Sequence, residues 1–207
     1  SLGAIACAFG ILVGIVFGVI SAINRGRFPD YLVIILSILC VSVPAFVFAS
    51  LFQYAFGAKL QWLPVAGWKG PVYMVLPCLA LGLRLIAYVA RMMRTSMLDV
   101  LGQDYIMTAR AKGLTSGQVI RRHTIRNAIM PVVSVAGSMI AGTLGGSFVI
   151  ENIFNIPGMG KYLVDAVTDN DYTVVLGMTP FYALVLVVIT FIVDILYVVI
   201  DRRVKLD

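Results

Sequence analysis

Long apolar runs alternate with short polar stretches along this chain, and the runs are long enough to cross a bilayer. Residues 2–23 and 31–58 carry no charge, and residues 71–90 carry only Arg84. Residues 127–150 form a fourth apolar run, and residues 172–200 a fifth that holds Asp194. A spanning helix needs about 20 apolar residues, so the pattern predicts five transmembrane helices in an all-α membrane protein. Pro44 is an expected kink in the second. Two of the runs place small residues at every fourth position. Ala6, Gly10, Gly14, Gly18 and Ala22 line one face of the first, and Ser134, Ser138, Gly142 and Gly146 line one face of the fourth, with Gly137, Ala141 and Gly145 beside them. Such faces allow close helix approach, which matters where lipid supplies no hydrophobic force between helices. The spacing leaves open whether the partner is in this chain or in another subunit.

Two polar stretches stand out. The first, residues 99–127, reads DVLGQDYIMTARAKGLTSGQVIRRHTIRN. Asp104 is placed to cap a short helix with Ile106 and Ala109 inward, and Gly113 to end it in a left-handed conformation. Thr115 and Gln118 fit a Thr-x-x-Gln capping box that opens a second short helix. Two short amphipathic helices at a membrane face, with a glycine joint, form a docking surface that can pass force to the spans. The second stretch, residues 151–171, has a turn over Ile156-Pro157-Gly158-Met159-Gly160. A short helix is expected after it, with Tyr162, Leu163, Ala166 and Val167 as its apolar face. As a pattern alone it reads equally well as a solvated connector and as a docking surface for an external partner.

Composition agrees with the bilayer as solvent: 60% of residues are hydrophobic and 13% are charged. A net charge of +6 would suit nucleic acid, but basic cytoplasmic loops give the same sum. Arg25, Arg27, Arg91, Arg94, Arg110, Lys112, Arg121, Arg122, Arg126, Arg202, Arg203 and Lys205 fall on one side of the spans. Only Lys59, Lys69 and Lys161 fall on the other. By the positive-inside rule the 99–127 stretch and the C-terminus are cytoplasmic. Five spans then put Ser1 outside, and a sixth span upstream is expected. The chain opens directly on an apolar helix with neither a Met nor a basic leader, which does not read as a signal peptide.

Candidate chemistry is sparse. Cys7, Cys40 and Cys78 each fall inside an apolar run, with no metal-ligand spacing and no disulfide framework. His123 lies among Arg121, Arg122 and Arg126 with no nucleophile or paired carboxylate nearby, which argues against catalysis. No phosphate-cradling Walker loop is present, so nucleotide hydrolysis is not expected of this chain. Residues 109–115 resemble the turn of a DNA-binding helix-turn-helix, yet spans flank them closely and no third helix builds a core, so nucleic acid is not an expected partner. Two charges lie within spans. Arg84 is seven residues before Arg91 and Asp194 seven before Asp201, which sets each about 10 Å into the membrane. An unpaired charge there costs about 3 kcal/mol, so a mutual Arg84–Asp194 pair is expected. The alternative has Arg84 snorkelling to the interface.

Tyr105-Ile106-Met107-Thr108-Ala109-Arg110-Ala111-Lys112-Gly113-Leu114, followed by Arg122-His123, Arg126-Asn127-Ala128 and Pro131, resembles the cytoplasmic signature of ABC-importer permeases. The likeness is greatest to the oligopeptide, dipeptide and nickel branch, and within it to the oligopeptide B-type subunits. Residues 151–160, Asp171-Tyr172, Asp194-Ile195-Leu196-Tyr197 and Ile200-Asp201 resemble the same family, so most of the chain is covered. The general signature opens with Glu-Ala-Ala; here Met107-Thr108-Ala109 takes that place, Gly113 matches, and Arg126 stands where a proline is usual.

The resemblance implies a type I importer permease fold: one transmembrane domain over residues 1–207, with five of an expected six spans. It implies a cytoplasmic coupling segment at 99–127, in which Tyr105, Thr108, Ala109, Arg110, Ala111, Lys112, Gly113 and Leu114 meet an ATPase. It also implies an extracytoplasmic loop at 151–171 with Glu151, Pro157, Gly158, Gly160 and Asp171. Implied partners are a second homologous permease, two cytoplasmic ATPase subunits, an extracytoplasmic substrate-binding protein and membrane lipid. No cofactor belongs to this chain; ATP and Mg sit in the ATPase subunits. The implied function is uptake of oligopeptides or dipeptides across a bacterial or archaeal plasma membrane by a multi-pass transport subunit that is not an enzyme. A nickel or other small-solute importer is the alternative within the family. Outside it stands an ion-coupled secondary transporter using Arg84 and Asp194 as a relay, which would carry inverted repeats that the sequence does not display.

Overall fold

The computed structural model describes residues 2–144 and 148–200, and every regular element among them is helical. α1 (Leu2–Ile23) and α2 (Phe28–Ser42) are joined by a tight turn through Gly26, whose φ is +72°. α3 (Ala45–Phe52) runs on into a π-helical segment, Gln53–Lys59. A 3₁₀ turn, Pro71–Met74, opens the long α4 (Val75–Leu101). Then come α5 (Asp104–Ala111), α6 (Ser116–Val119), a π-helical turn at Ile120–Thr124, α7 (Ile125–Ala128) and α8 (Met130–Leu144). α9 (Phe148–Ile153), α10 (Met159–Thr168) and α11 (Tyr172–Ile200) complete the described residues.

Among the described residues, three helical stretches are long and apolar enough to cross a membrane: Leu2–Ile23, Pro71–Leu101 and Tyr172–Ile192. The pair α2–α3 makes a fourth if it counts as one span. Pro44 does more than kink that run. It lacks an N–H and disfavours helical geometry at Val43. α2 therefore ends at Ser42, and Pro44 becomes the extended cap residue of α3, with ψ at 143°. The expected span over 127–150 falls on α8 and α9, neither of which alone is long enough to cross a membrane; residues 145–147 between them lie outside the described residues. α4 is longer than its apolar run. No Gly or Pro interrupts it between Arg84 and Gly102, and its inner face continues through the fully buried Met93 and Met97.

The chain divides into two compact units. One comprises Gly10–Ser42 and Arg84–Ala136. Its centre is the contact of α1 with α4. Gly10, Gly14, Gly18 and Ala22 are all buried. A Cβ on Gly14 would lie 2.7 Å from Val89 Cβ; one on Gly18 would lie 2.6 Å from Met93 Cβ and 2.7 Å from the Ala90 carbonyl oxygen. Only glycine permits that approach. The partner of the first small-residue face is therefore α4 of the same chain, and dispersion over the close contact supplies what lipid cannot.

The other unit comprises Ser1–Phe9, Val43–Leu83 and Gly137–Asp207. Its core gathers Ala6, Ala49, Leu76, Ala80, Ile150, Phe154 and Ile156, with Phe52, Phe56, Leu63 and Trp68 packed around them. The loop after α3 folds back onto this core. The Gln53 side-chain amide donates to the carbonyls of Val65 and Ile153, each at 3.0 Å, and Gly67 N–H donates to the Phe154 carbonyl at 2.8 Å. Trp62 is largely exposed, as headgroup-level placement requires, whereas Trp68 packs inward.

Candidate functional site

The polar stretch after α4 folds as a hairpin of short helices. Two residues, Gly102 and Gln103, separate α4 from α5. α5 begins one residue earlier than a capping Asp104 would require: Gln103 holds the extended cap position and Asp104 is the first helical residue. There its negative charge still favours the helix N-terminus, without a side-chain cap bond. Ile106, Ala109 and Val119 are buried together, and Val100 and Leu114 cover them.

α5 ends in a Schellman arrangement. Gly113 N–H donates to the Arg110 carbonyl at 2.9 Å and Leu114 N–H to the Ala109 carbonyl at 3.4 Å. Gly113 has a positive φ of 83°, in the left-handed region that side chains disfavour. The next helix opens with the reciprocal box expected of its sequence. Thr115 N–H donates to Gln118 Oε1 at 2.9 Å, and Gln118 N–H to Thr115 Oγ at 3.4 Å. Asn127 then ties the far end back, donating to Tyr105 OH at 3.2 Å and to the His123 carbonyl at 2.9 Å.

This construction sorts the eight residues expected to meet an ATPase. Ala109 is buried and Leu114 half-buried, so they hold the hairpin together. Tyr105, Thr108, Arg110, Ala111, Lys112 and Gly113 are exposed, together with Met107. The exposed set is an amphipathic, cationic surface on a locally braced scaffold.

The 151–171 loop is braced differently. Glu151 turns its carboxylate back onto the turn and accepts from Gly160 N–H at 2.9 Å. A Cβ on Gly158 would collide with that carboxylate, and one on Gly160 would lie 2.6 Å from Glu151 Oε2 and 2.7 Å from the Phe148 ring. The glycines are thus fixed by Glu151, and Pro157 sits exposed at the apex between Ile156 and Gly158. Asp171 caps α11, accepting from Val174 N–H at 3.1 Å. The apolar face of α10 is rotated from the one its sequence predicts. Gly160 and Ala166 are buried, while Tyr162 and Val167 are 66% and 58% exposed. Seating Gly160 against Phe148 and Glu151 sets that rotation.

Of the two intramembrane charges, Arg84 is exposed and has no ion-pair partner among the described residues. The side chain of Asp194 lies outside the described residues, and with it the expected Arg84–Asp194 pair. A different buried pair is present. Asp30, 2% exposed in the first turn of α2, receives Arg94 Nε at 2.6 Å and Arg94 Nη2 at 2.8 Å. It also accepts from Gly26 N–H at 2.9 Å and from the Ser21 hydroxyl. One carboxylate therefore binds the end of α1, the turn after it and the C-terminal half of α4. Sequence reasoning puts Asp30 in a loop and Arg94 among solvated cations. The available signal is an acidic residue directly after Phe28-Pro29, a helix-opening position, on an otherwise uncharged run.

The model of the binding-protein-dependent transport system inner membrane component family matches residues 14–206. The chain is 46% identical over 205 residues to the dipeptide transport system permease protein DppB of Bacillus subtilis, covering 99% of this chain and 67% of that one. It is 39% identical over 206 residues to the oligopeptide transport system permease protein OppB of Haemophilus influenzae, covering 99% and 67%. It is 38% identical over 197 residues to the glutathione transport system permease protein GsiC of Escherichia coli, covering 95% and 64%. The chain thus spans about two thirds of the length of the curated relatives it matches. A crystal structure of an amino acid ABC transporter with histidines superposes with a TM-score of 0.71 at 19% identity, over 98% of this chain and 89% of that one. That likeness shows the type I importer permease fold. With a family model matched along nearly its whole length and relatives this similar, the chain belongs to the binding-protein-dependent transport system inner membrane component family.

Proposed function

We propose that this chain is a membrane subunit of an ATP-driven importer that takes up short peptides. On this reading it works beside a second, similar permease, two cytoplasmic ATPases and an extracytoplasmic binding protein. The observation that carries it is the braced hairpin α5–α6, set two residues beyond α4 with Tyr105, Thr108, Arg110 and Lys112 outward. The names of the relatives, which are dipeptide, oligopeptide and glutathione permeases, support the substrate class.

The mechanics follow from the connections. ATP and Mg bind in the partner ATPases, whose closure displaces the hairpin. Because the buried Ile106, Ala109 and Val119 make it one body, the hairpin moves as a unit. Only Gly102 and Gln103 join it to α4, and Arg94 of α4 is held to Asp30, so the displacement reaches the α1–α4 contact. On the opposite face of the membrane, the Glu151-braced loop presents Pro157, Tyr162 and Val167 to the binding protein. The excess of Lys and Arg on the hairpin's side of the spans supports a cytoplasmic hairpin and C-terminus.

The test is transport with copurification. A tagged chain brings down ATPase subunits, and a strain lacking it loses uptake of labelled di- and oligopeptides while nickel uptake persists. Loss of nickel uptake with peptide uptake intact would replace the peptide reading with the nickel one.

A further inference from the structure

α4 has a second face that the hairpin mechanics do not use. Arg84, Tyr88, Arg91, Thr95 and Asp99 follow one another at intervals of four, three, four and four residues. At 100° per residue they fall within a strip about 80° wide and about 22 Å long. All five are exposed, whereas Leu85, Ile86, Val89, Ala90, Met93 and Met97 on the other side of the same helix are buried. The lower part of the strip borders a cleft of about 470 Å³ shared with Ser96 and Pro131.

The strip begins at Arg84, inside the apolar run 71–90 of this helix, and continues past Arg91, where that run ends, to Asp99. Its intramembrane charge, Arg84, faces the bundle interior or a water-filled cavity and not hydrocarbon, and the rest of the strip carries the same face to the end of the helix. Neither Arg84 nor Arg91 has a carboxylate partner among the described residues. They stand seven residues apart, about 10 Å along one face. The third arginine of the helix, Arg94, shows what a neutralised one looks like here: it points off the strip and is held bidentately by Asp30. Two arginines with no carboxylate partner among the described residues, and with Asp99 about 12 Å beyond Arg91, leave a local field at the Arg84–Arg91 end of the strip that draws anions.

We infer that this face of α4 lines the aqueous path through the assembled importer, and that Arg84 and Arg91 make the path selective for a carboxylate-bearing solute. The carboxylate of a passing peptide is the group they would meet. The inference rests on the importer reading and deepens it by naming the wall of the path and the substrate charge that wall favours.

The experiment uses the assembled transporter with Cys7, Cys40 and Cys78 replaced by Ala. Single cysteines at Arg84, Tyr88 or Thr95 should react with a small hydrophilic thiol reagent at least ten-fold faster than cysteines at Leu12 or Leu176. Those two are exposed apolar positions on α1 and α11. At Tyr88→Cys, between the two arginines, a sulfonate-bearing methanethiosulfonate should outrun a trimethylammonium one about ten-fold, each rate normalised to its reaction with a free thiol. Arg84→Gln with Arg91→Gln should erase that preference in a complex that still assembles, as checked by gel filtration. It should likewise erase any preference in uptake for a free-acid peptide over its C-terminal amide. Labelling at the strip no faster than at Leu12 overturns the path, and a charge preference that survives loss of both arginines overturns their role. Thiol rates need no transport. A labelled strip in a complex that imports no peptide sinks the substrate reading, and an unlabelled strip in one that does sinks the path alone.

Discussion

α1 and α8 carry the same mark in the sequence, small residues at every fourth position, and the molecule treats them in opposite ways. In α1 the strip from Ala6 to Ala22 is buried, and at Gly14 and Gly18 an added Cβ would strike α4. In α8, Gly142 is exposed, and an added Cβ would meet no described neighbour within 4 Å, while the side chain of Ser138 and all of Gly146 in the same strip lie outside the described residues. α11 goes further: none of the span window in Tyr172–Ile192 is buried. Small-residue spacing states how near a partner can come and is silent on where the partner is. A helix that has found its partner within the chain behaves as core. One that has not is a surface awaiting a second subunit, which our reading supplies as the other permease.

The closed region should break most severely at its polar end. Asp30→Leu leaves the Arg94 guanidinium half-buried without its carboxylate, and the loss expected on breaking a buried pair is about 3–5 kcal/mol. Arg94→Met strands Asp30, which is more deeply buried and should fare no better. The double variant Asp30→Leu with Arg94→Met removes both charges and should be more stable than either single one. Thermal unfolding in detergent measures all three. If the two losses simply add, the residues act independently and the contact is incidental.

Next in size is a paired substitution that tests the comparison itself. Gly18→Val pushes a Cβ into Met93 and into the Ala90 carbonyl, and backbone cannot yield as a flexible side chain would. A loss of about 1–3 kcal/mol or more is expected. Gly142→Val meets open space and should change the stability of the isolated chain by no more than about 0.5 kcal/mol. It should instead weaken association with the second permease, read by copurification. Equal effects of the two on the isolated chain would end the distinction between closed and open faces.

Much of this is legible in the sequence, and the exceptions share a cause. The bounds of α1, the left-handed Gly113 and the Thr115–Gln118 box follow from local rules: run length, a helix-ending glycine and a side chain returning to a nearby backbone. What sequence reasoning misses depends on partners remote in the chain. Asp30 and Arg94 are 64 residues apart, and nothing local distinguishes a carboxylate that will be buried from one left in a loop. The rotation of α10 is set by Phe148 and Glu151, not by its own periodicity. Pro44 is recognisable as a disturbance, but whether a proline bends or ends a helix depends on what packs on either side. Of the candidate site residues, sequence reasoning selects residues 105–114 as a block. Only packing separates the buried Ala109 from the exposed Tyr105, Thr108, Arg110 and Lys112.

A smaller effect is expected where the hairpin is built from local rules and its outer face is open. Gly113→Val forces a β-branched residue into the left-handed region, where an added Cβ meets no neighbour within 4 Å. The cost is therefore backbone strain alone, roughly 1–2 kcal/mol. Gly117→Ala, four residues on in α6 and equally open, should gain up to about 1 kcal/mol of helix stability. The first should uncouple ATP hydrolysis from uptake with the spans still inserted, and the second should not. Normal peptide uptake by Gly113→Val would detach the shape of this turn from coupling.

The least perturbing prediction changes no stability and tests orientation. Ser116 is exposed at the start of α6, Trp62 is 70% exposed beyond the π-helical end of α3, and Asp169 is exposed after α10. Cysteines at these positions should therefore leave the packed regions untouched. On the proposed orientation, which the distribution of Lys and Arg supports, Ser116 is cytoplasmic and the other two are outside. In sealed cells an impermeant thiol reagent should label Trp62→Cys and Asp169→Cys at once, and Ser116→Cys only after the membrane is opened. Trp62 is chosen over Trp68 because Trp68 packs against the core around Phe154, where a missed label would report burial instead of sidedness. The test bears on the comparison as well. If Ser116 were labelled from outside, the exposed face of α5 could not meet a cytoplasmic ATPase, and its openness would need another partner.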